Sequence, residues 1–282
     1  MLSAEPDFGT WDARLALRFK HGARGTHLAE TEHVGPLRVQ RPFHPEGPDG
    51  PCHVYLLHPP GGVVSGDRLR IALSLDARAH AMLTAPGANK FYTARGEHRA
   101  ELVQSVDVGE GALAEWMPPE TIAFEGTRGA LHTQVALAAD AAYAGWEILC
   151  LGRPAAGEGF SSGELRTSLE IRREGQLRFL ERGLYRGGDA VLRAPWGLHG
   201  QPVLATFVVA SPRASQEWVE QVRAEVEVES GTFSVTLVSG VLVARFLGAT
   251  TREARGCLER AFRVLRPLYA GREAVHPRIW ST

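Results

Sequence analysis

Hydrophobic and polar positions alternate along most of this chain. Leu69, Ile71, Leu73 and Leu75 stand between polar or small neighbours, the period of two expected of a strand with one buried face. The same alternation runs through residues 37–43, 100–108, 131–137, 165–171 and 232–247. Denser apolar runs at 52–58, 146–151 and 203–210 predict strands buried more deeply. Gly- and Pro-rich breaks at 60–62, 86–87, 109–111, 187–188 and 239–240 separate them. Many short strands at turn-length spacing predict an all-β sandwich, barrel or β-helical stack.

Two segments carry helical spacing instead. Ser215 is placed to cap a helix running to about Val226, with Trp218 and Val222 on its inner face. Thr250 and Glu253 have capping-box spacing, with Glu253 expected to reach back to the Thr250 amide. Cys257, Leu258, Ala261 and Leu265 then recur on one face, and Pro267 is expected to end the run. No long linker, low-complexity stretch or repeat of fixed period appears, so residues 1–282 are expected to form a single domain.

Composition narrows the function classes. Cys52, Cys150 and Cys257 are odd in number and far apart, which suits a reducing compartment and predicts a cytoplasmic protein. The first residues carry Glu5, Asp7 and Asp12 without a basic start and an apolar run, so no secretory signal is expected. No apolar run approaches the length of a membrane span. A net charge of −1 gives no electrostatic footprint for nucleic acid or an anionic membrane. Of the 31 basic residues only Lys20 and Lys90 are lysine. In such a chain a lysine in a motif suggests a place for a compact point charge, which a guanidinium does not supply.

The sequence contains no nucleophile elbow, phosphate loop or dinucleotide fingerprint. His53 and His58 are five apart in a strand and face opposite ways, so they do not chelate together. What remain are three carboxylates in Gly-, Pro- or apolar-rich settings. Asp67 ends the loop Val63-Val64-Ser65-Gly66-Asp67, where it either binds its own backbone amides or serves a function. Glu120 stands between Trp116-Met117-Pro118-Pro119 and Thr121-Ile122-Ala123-Phe124, and a carboxylate buried there needs a partner. Glu158 follows Gly152-Arg153-Pro154-Ala155-Ala156-Gly157, with Arg153 at hand for a salt bridge. A β-rich hydrolase would need two of these at roughly 5–9.5 Å across an open cleft.

Six segments together are more specific than any one alone. They are 35–43 (Gly-Pro-Leu-Arg-Val-Gln-Arg-Pro-Phe), His58-Pro59-Pro60-Gly61-Gly62 with Ser65-Gly66-Asp67, and Pro86-Gly87-Ala88-Asn89-Lys90-Phe91-Tyr92. Then come Glu115-Trp116-Met117-Pro118-Pro119-Glu120-Thr121-Ile122, residues 152–158, and the ending Pro277-Arg278-Ile279-Trp280-Ser281-Thr282. In this order, over nearly the whole chain, the sequence resembles the urease accessory protein UreD (UreH) family. The resemblance implies a mainly β, two-layered β-helix-like fold with two helices near the C-terminus. It also implies a non-catalytic role in assembling the nickel centre of urease, with UreF and the GTPase UreG, on the urease apoprotein. No cofactor is expected to be held tightly, and Ni2+ is expected in transit. By resemblance, Asp67 and Glu158 match acidic positions along an internal, water-filled nickel path, and Glu120 falls in a matched motif. Lys90, Arg153, Arg278 and Trp280 fall in matched motifs too. Where relatives carry a basic residue after the Lys-x-Tyr stretch, this chain has Thr93. Scattered carboxylates suit transit, because imidazole and thiolate ligands would hold nickel tightly. The alternative is an adaptor that never touches metal. The tail, with Ile279 and Trp280, is expected to dock on the β-core.

Overall fold

The computed structural model describes residues 10–281. Among the described residues, seventeen strands and two α-helices follow one another. The chain opens with a hairpin, β1 (Asp12–Gly22) and β2 (Gly25–Val34), in which Ala13, Leu15, Leu17 and Phe19 are buried on alternate positions. Next come β3 (Arg38–Val39), β4 (Cys52–Leu57), β5 (Arg68–Leu75), β6 (His80–Thr84), β7 (Asn89–Phe91) and β8 (Ala100–Val108). They continue with β9 (Leu113–Trp116), β10 (Thr121–Ala123), β11 (Arg128–Leu137), β12 (Ala142–Leu151), β13 (Glu164–Arg173) and β14 (Gln176–Arg186). The last third holds β15 (Val203–Ala210), α1 (Gln216–Glu225), β16 (Thr232–Val238), β17 (Val241–Gly248) and α2 (Thr251–Ala270).

The strands form two sheets, and from β4 to β13 the chain winds between them. One sheet has the order β14-β13-β11-β8-β5-β1-β2, and the path of the other runs β16-β17-β15-β12-β9-β6-β4-β3. Each rung lays a strand in one sheet, crosses, and lays the next strand in the other. Rungs begin at Cys52, His80, Leu113 and Ala142 in the second sheet. Pairing is parallel throughout this solenoid, β1-β5-β8-β11-β13 on one side and β4-β6-β9-β12 on the other. Antiparallel strands close the edges: β2 and β14 on the first sheet, β15, β17 and β16 on the second.

Two apolar cores share the second sheet. One lies between the sheets and takes the inward positions of the alternating strands, including Leu69, Ile71, Leu73 and Leu75. The other lies between the outer face of the second sheet and the helices. There Trp146 and Phe207 meet Trp218, Val222, Leu258, Phe262 and Leu265. Strands β12 and β15 serve both cores, which is why their runs are almost continuously apolar.

Several local expectations change. Residues 37–43 form only the two-residue β3 plus an isolated bridge from Phe43 to His53. The 232–247 stretch is a hairpin that turns at the expected break, with Ser239 and Gly240 both at positive φ. Helix α2 does not stop at Pro267 but runs to Ala270, capped by left-handed Gly271. Ser215 occupies the N-cap of α1 without a side-chain capping bond. At α2 the capping box forms as expected: the Glu253 amide donates to Thr250 Oγ1 at 3.2 Å, and the Glu253 carboxylate takes the Thr250 amide along with the hydroxyls of Thr250 and Ser230. No described helix is long and apolar enough to cross a membrane.

Candidate functional site

Parallel strands place their carboxyl ends at one side, and four motif segments follow those ends in adjacent strands. Residues 58–62 leave β4, 85–90 leave β6, 117–121 leave β9 and 152–158 leave β12. Short three-residue pairings fasten these loops together: β10 runs beside both β7 and β12, and Val63 bridges to Phe91. The Val63 amide donates to the Lys90 carbonyl at 2.7 Å and the Asn89 amide to the Glu120 carbonyl at 3.0 Å. Gly62 is required here, because a Cβ would sit 2.7 Å from the Lys90 carbonyl oxygen and from the Tyr92 ring.

The tail joins the same end. Trp280 packs on Trp146 with ring centroids 5.1 Å apart and donates from Nε1 to Thr84 Oγ1 at 3.1 Å. Trp146 in turn donates to the Pro118 carbonyl at 2.7 Å, tying the tail to the loop after β9. Pro277 is buried, while Arg278 is exposed and its charge reaches the Tyr55 phenol. Thr282 lies outside the described residues, as do Glu5 and Asp7.

Each carboxylate singled out from the sequence has a partner inside the chain. Asp67 is 2% exposed and accepts from the Trp11 amide and the Val64 amide, both at 2.9 Å. Glu120 pairs with Arg255 at 3.2 Å. Glu158 accepts from Arg153 Nε at 2.7 Å, and the Arg153 guanidinium also lies 4.7 Å over the Phe124 ring. The structure does not gather them: among the described residues no group of three or more His, Cys, Asp or Glu is arranged to hold a metal ion.

Between the sheets, beneath these loops, lies a cavity of about 330 Å³. Leu37, Leu56, Leu69, Ile71, Leu102 and Leu131 give it an apolar floor. Lys90 lines it, together with His58, Asn89, Trp116, Gln104 and Glu147. Glu147 is a site residue that the sequence reading passed over; the signal was a lone carboxylate inside the apolar run of β12. Glu147 is half-buried and lines the cavity. Burial pushes its carboxyl up to about 7, opposed by the hydrogen bond to Thr133 and helped by the charge of Glu181. The Thr133 hydroxyl donates to Glu147 at 2.5 Å and also lies 3.1 Å from Gln104 Oε1.

A second buried polar cluster also escaped the sequence reading. On the helix side of the second sheet, Arg266 and Glu115 are both 0% exposed. Arg266 donates to Glu115 at 2.9 and 3.0 Å and to Glu46 at 2.8 and 2.9 Å. His80 and Tyr269 complete the shell of Glu115, and His53 lies 2.9 Å from Glu46. Burial opposes the charge on Glu115, but His80 and Arg266 hold its carboxyl well below the usual carboxylate range.

Comparison with known proteins gives this geometry its context. The family model described as "UreD urease accessory protein" matches residues 12–281. The chain belongs to the UreD family. It is 46% identical over 272 residues to "Urease accessory protein UreD" of Azoarcus sp. (strain BH72), covering 96% of this chain and 94% of that one. With "Urease accessory protein UreD 2" of Brucella anthropi the identity is 43%, covering 96% and 98%. With the UreD protein of Pseudomonas aeruginosa (strain UCBPP-PA14) it is 42%, covering both chains in full. These relatives are named as accessory to urease and not as an enzyme. The mainly β architecture with alternating sheets and two late helices is the one the resemblance implied.

Proposed function

We propose that this chain is a non-catalytic maturation factor of urease. In this reading it works in the cytoplasm as a scaffold with UreF and UreG and passes Ni2+ to the urease apoprotein. The observation that carries the reading is end-to-end membership of the UreD family. Convergence of the motif loops and the tail at one end of the solenoid supports a docking role there.

Nickel enters as cargo. Glu147 is suited to it because a carboxyl near neutrality exchanges its proton for a divalent cation without a large barrier. Glu181, whose charge reaches Glu147, accepts from Thr206 and pairs with Arg245, and would join such a route only by leaving Arg245. Asp67 would join such a route only by releasing two backbone amides, and Glu120 and Glu158 only by leaving Arg255 and Arg153. Those pairings favour a second reading, an adaptor that holds the complex together and does not touch metal.

Urease produced at matched apoenzyme levels with and without this chain tests the maturation role. Nickel content and activity should both fall in its absence, and equal values would end the proposal. Affinity capture should recover UreF with this chain and recruit UreG; recovery of the chain alone at full yield would remove the scaffold. Glu147→Gln separates the two readings. A conduit predicts less nickel in urease with the complex intact, and an adaptor predicts no change.

A further inference from the structure

The first sheet ends in two strands that are paired on one side only: β14 meets β13, and β2 meets β1. Among the described residues, neither 177–185 nor 29–34 makes a backbone hydrogen bond beyond that one neighbour. Such an edge offers its amides and carbonyls to another chain.

The outward side chains of the two edges differ in character. On β14, Leu180, Arg182 and Leu184 point away from the core, because Phe179 is buried between them and Glu181 bonds to Thr206 of the second sheet. On β2 the same face holds Glu30, Glu32 and Val34. These stand opposite Arg18, Ala16 and Arg14, which alternate with the buried Leu15 and Leu17. Glu30 is taken by Lys20 at 2.9 Å. Arg182 and Glu32 make no side-chain hydrogen bond or ion pair among the described residues. Leu184 is 42% exposed and Val34 62%.

The strands also run the same way. Five parallel strands lie between them, and each is antiparallel to its own neighbour. A second copy set beside the first therefore continues the sheet with its β2 parallel to β14. Parallel partners in register share a face, so Glu32 falls beside Arg182 when Val34 falls beside Leu184. Like edges do not fit in this way. Antiparallel β14 on β14 sets Arg182 against itself or against leucine, and β2 on β2 brings glutamates together.

We propose that copies of this chain associate head to tail, the β14 edge of one on the β2 edge of the next. The contact is heterologous and leaves a free edge at each end, so it builds open chains and not closed dimers. The dilute chain presents both edges free. The inference goes beyond the maturation role and does not depend on it.

Sedimentation of the purified full-length chain over a wide concentration range tests this. The mass should grow past twice 30.6 kDa, and salt should oppose the growth. Arg182→Glu and Glu32→Arg should each weaken association about tenfold, by setting like charges together. The two combined should restore it, and Glu225→Arg, on exposed α1, should leave it unchanged. Register is read by mixing Val34→Cys with Leu184→Cys under a mild oxidant. Neighbouring strands lie roughly 4.8 Å apart, within reach of a disulfide, and Cys52, Cys150 and Cys257 are buried. The mixture should give a disulfide-linked dimer and neither variant alone should. A monomer at every concentration, or a mass that stops at the dimer, would overturn the proposal without any variant having to fold. Association with no disulfide in the mixture would overturn it too. Because the readout contains no urease, a negative result leaves the maturation role standing.

Discussion

Arg266 is a lone guanidinium held between two carboxylates at the buried foot of α2, and its removal leaves Glu115 only His80 and Tyr269 and Glu46 only His53. Breaking a buried pair on one side costs about 3–5 kcal/mol, because the remaining charge keeps its desolvation penalty. Arg266→Met is therefore expected to lower unfolding free energy by about that much in urea titrations. Adding Glu115→Gln to it should return part of the loss. Glu147 has the opposite sign of pH dependence from Glu115. Its folded carboxyl is raised from 4.5 to about 7, so the folded state holds the proton more tightly. The resulting stability is fully present below about pH 4.5 and is lost as pH rises towards 7. Glu147→Gln should abolish that slope, and the loss it removes is on the order of 3 kcal/mol at pH 8. Denaturation at pH 5 and pH 8 measures it, and an unchanged slope would mean Glu147 is ionised in both states. Glu115, held low, contributes stability above its ordinary range that fades as pH falls through it. Asp67 bonds to backbone at both oxygens, so Asp67→Ala should lower thermal stability and with it the yield of any complex.

At the scale of elements, α2 shows how packing overrides a local stop signal. Pro267 lacks an N–H, yet Leu265, Arg266 and Tyr269 on either side of it are buried, and the last turn continues to Gly271. The tail is held by similar means. Trp280 contacts Trp146, Phe262 and His276, so Trp280→Ala should cost about 2 kcal/mol, less than a fully buried tryptophan. Removal of residues 276–282 should lower the melting temperature of the chain on its own. An unchanged melt combined with loss of UreF would make the tail a partner motif instead. Strands β5, β8 and β11 were legible because their faces alternate. The β1–β2 hairpin alternates as plainly in Ala13, Leu15, Leu17 and Phe19, but lies outside the segments recognised as strands. On β14 the buried Phe179 and half-buried Glu181, Gly183 and Tyr185 mix polar and apolar residues on one face, which obscures the period.

For the whole molecule, the solenoid predicts a gradient of protection. Strands β8, β9, β11 and β12 have neighbours on both sides and a core between them, so their amides should exchange most slowly. The edge strands β2, β14 and β16 should exchange fastest, and equal rates throughout would deny the rung order. Sequence alone determined that the chain is mainly β, where most strands lie, that two helices come late, and which family it belongs to. Those properties rest on local periodicity and on ordered motifs, which neighbours in the chain carry. Tertiary structure decided the rest. Rungs of unequal length hide the repeat, so only parallel pairing brings the loops after β4, β6, β9 and β12 to one end. Asp67 has committed partners, and Glu147 lacks a counter-charge, because of residues distant in sequence. Burial and pairing are set by what packs against a side chain, and in this fold those contacts cross from one rung or layer to another.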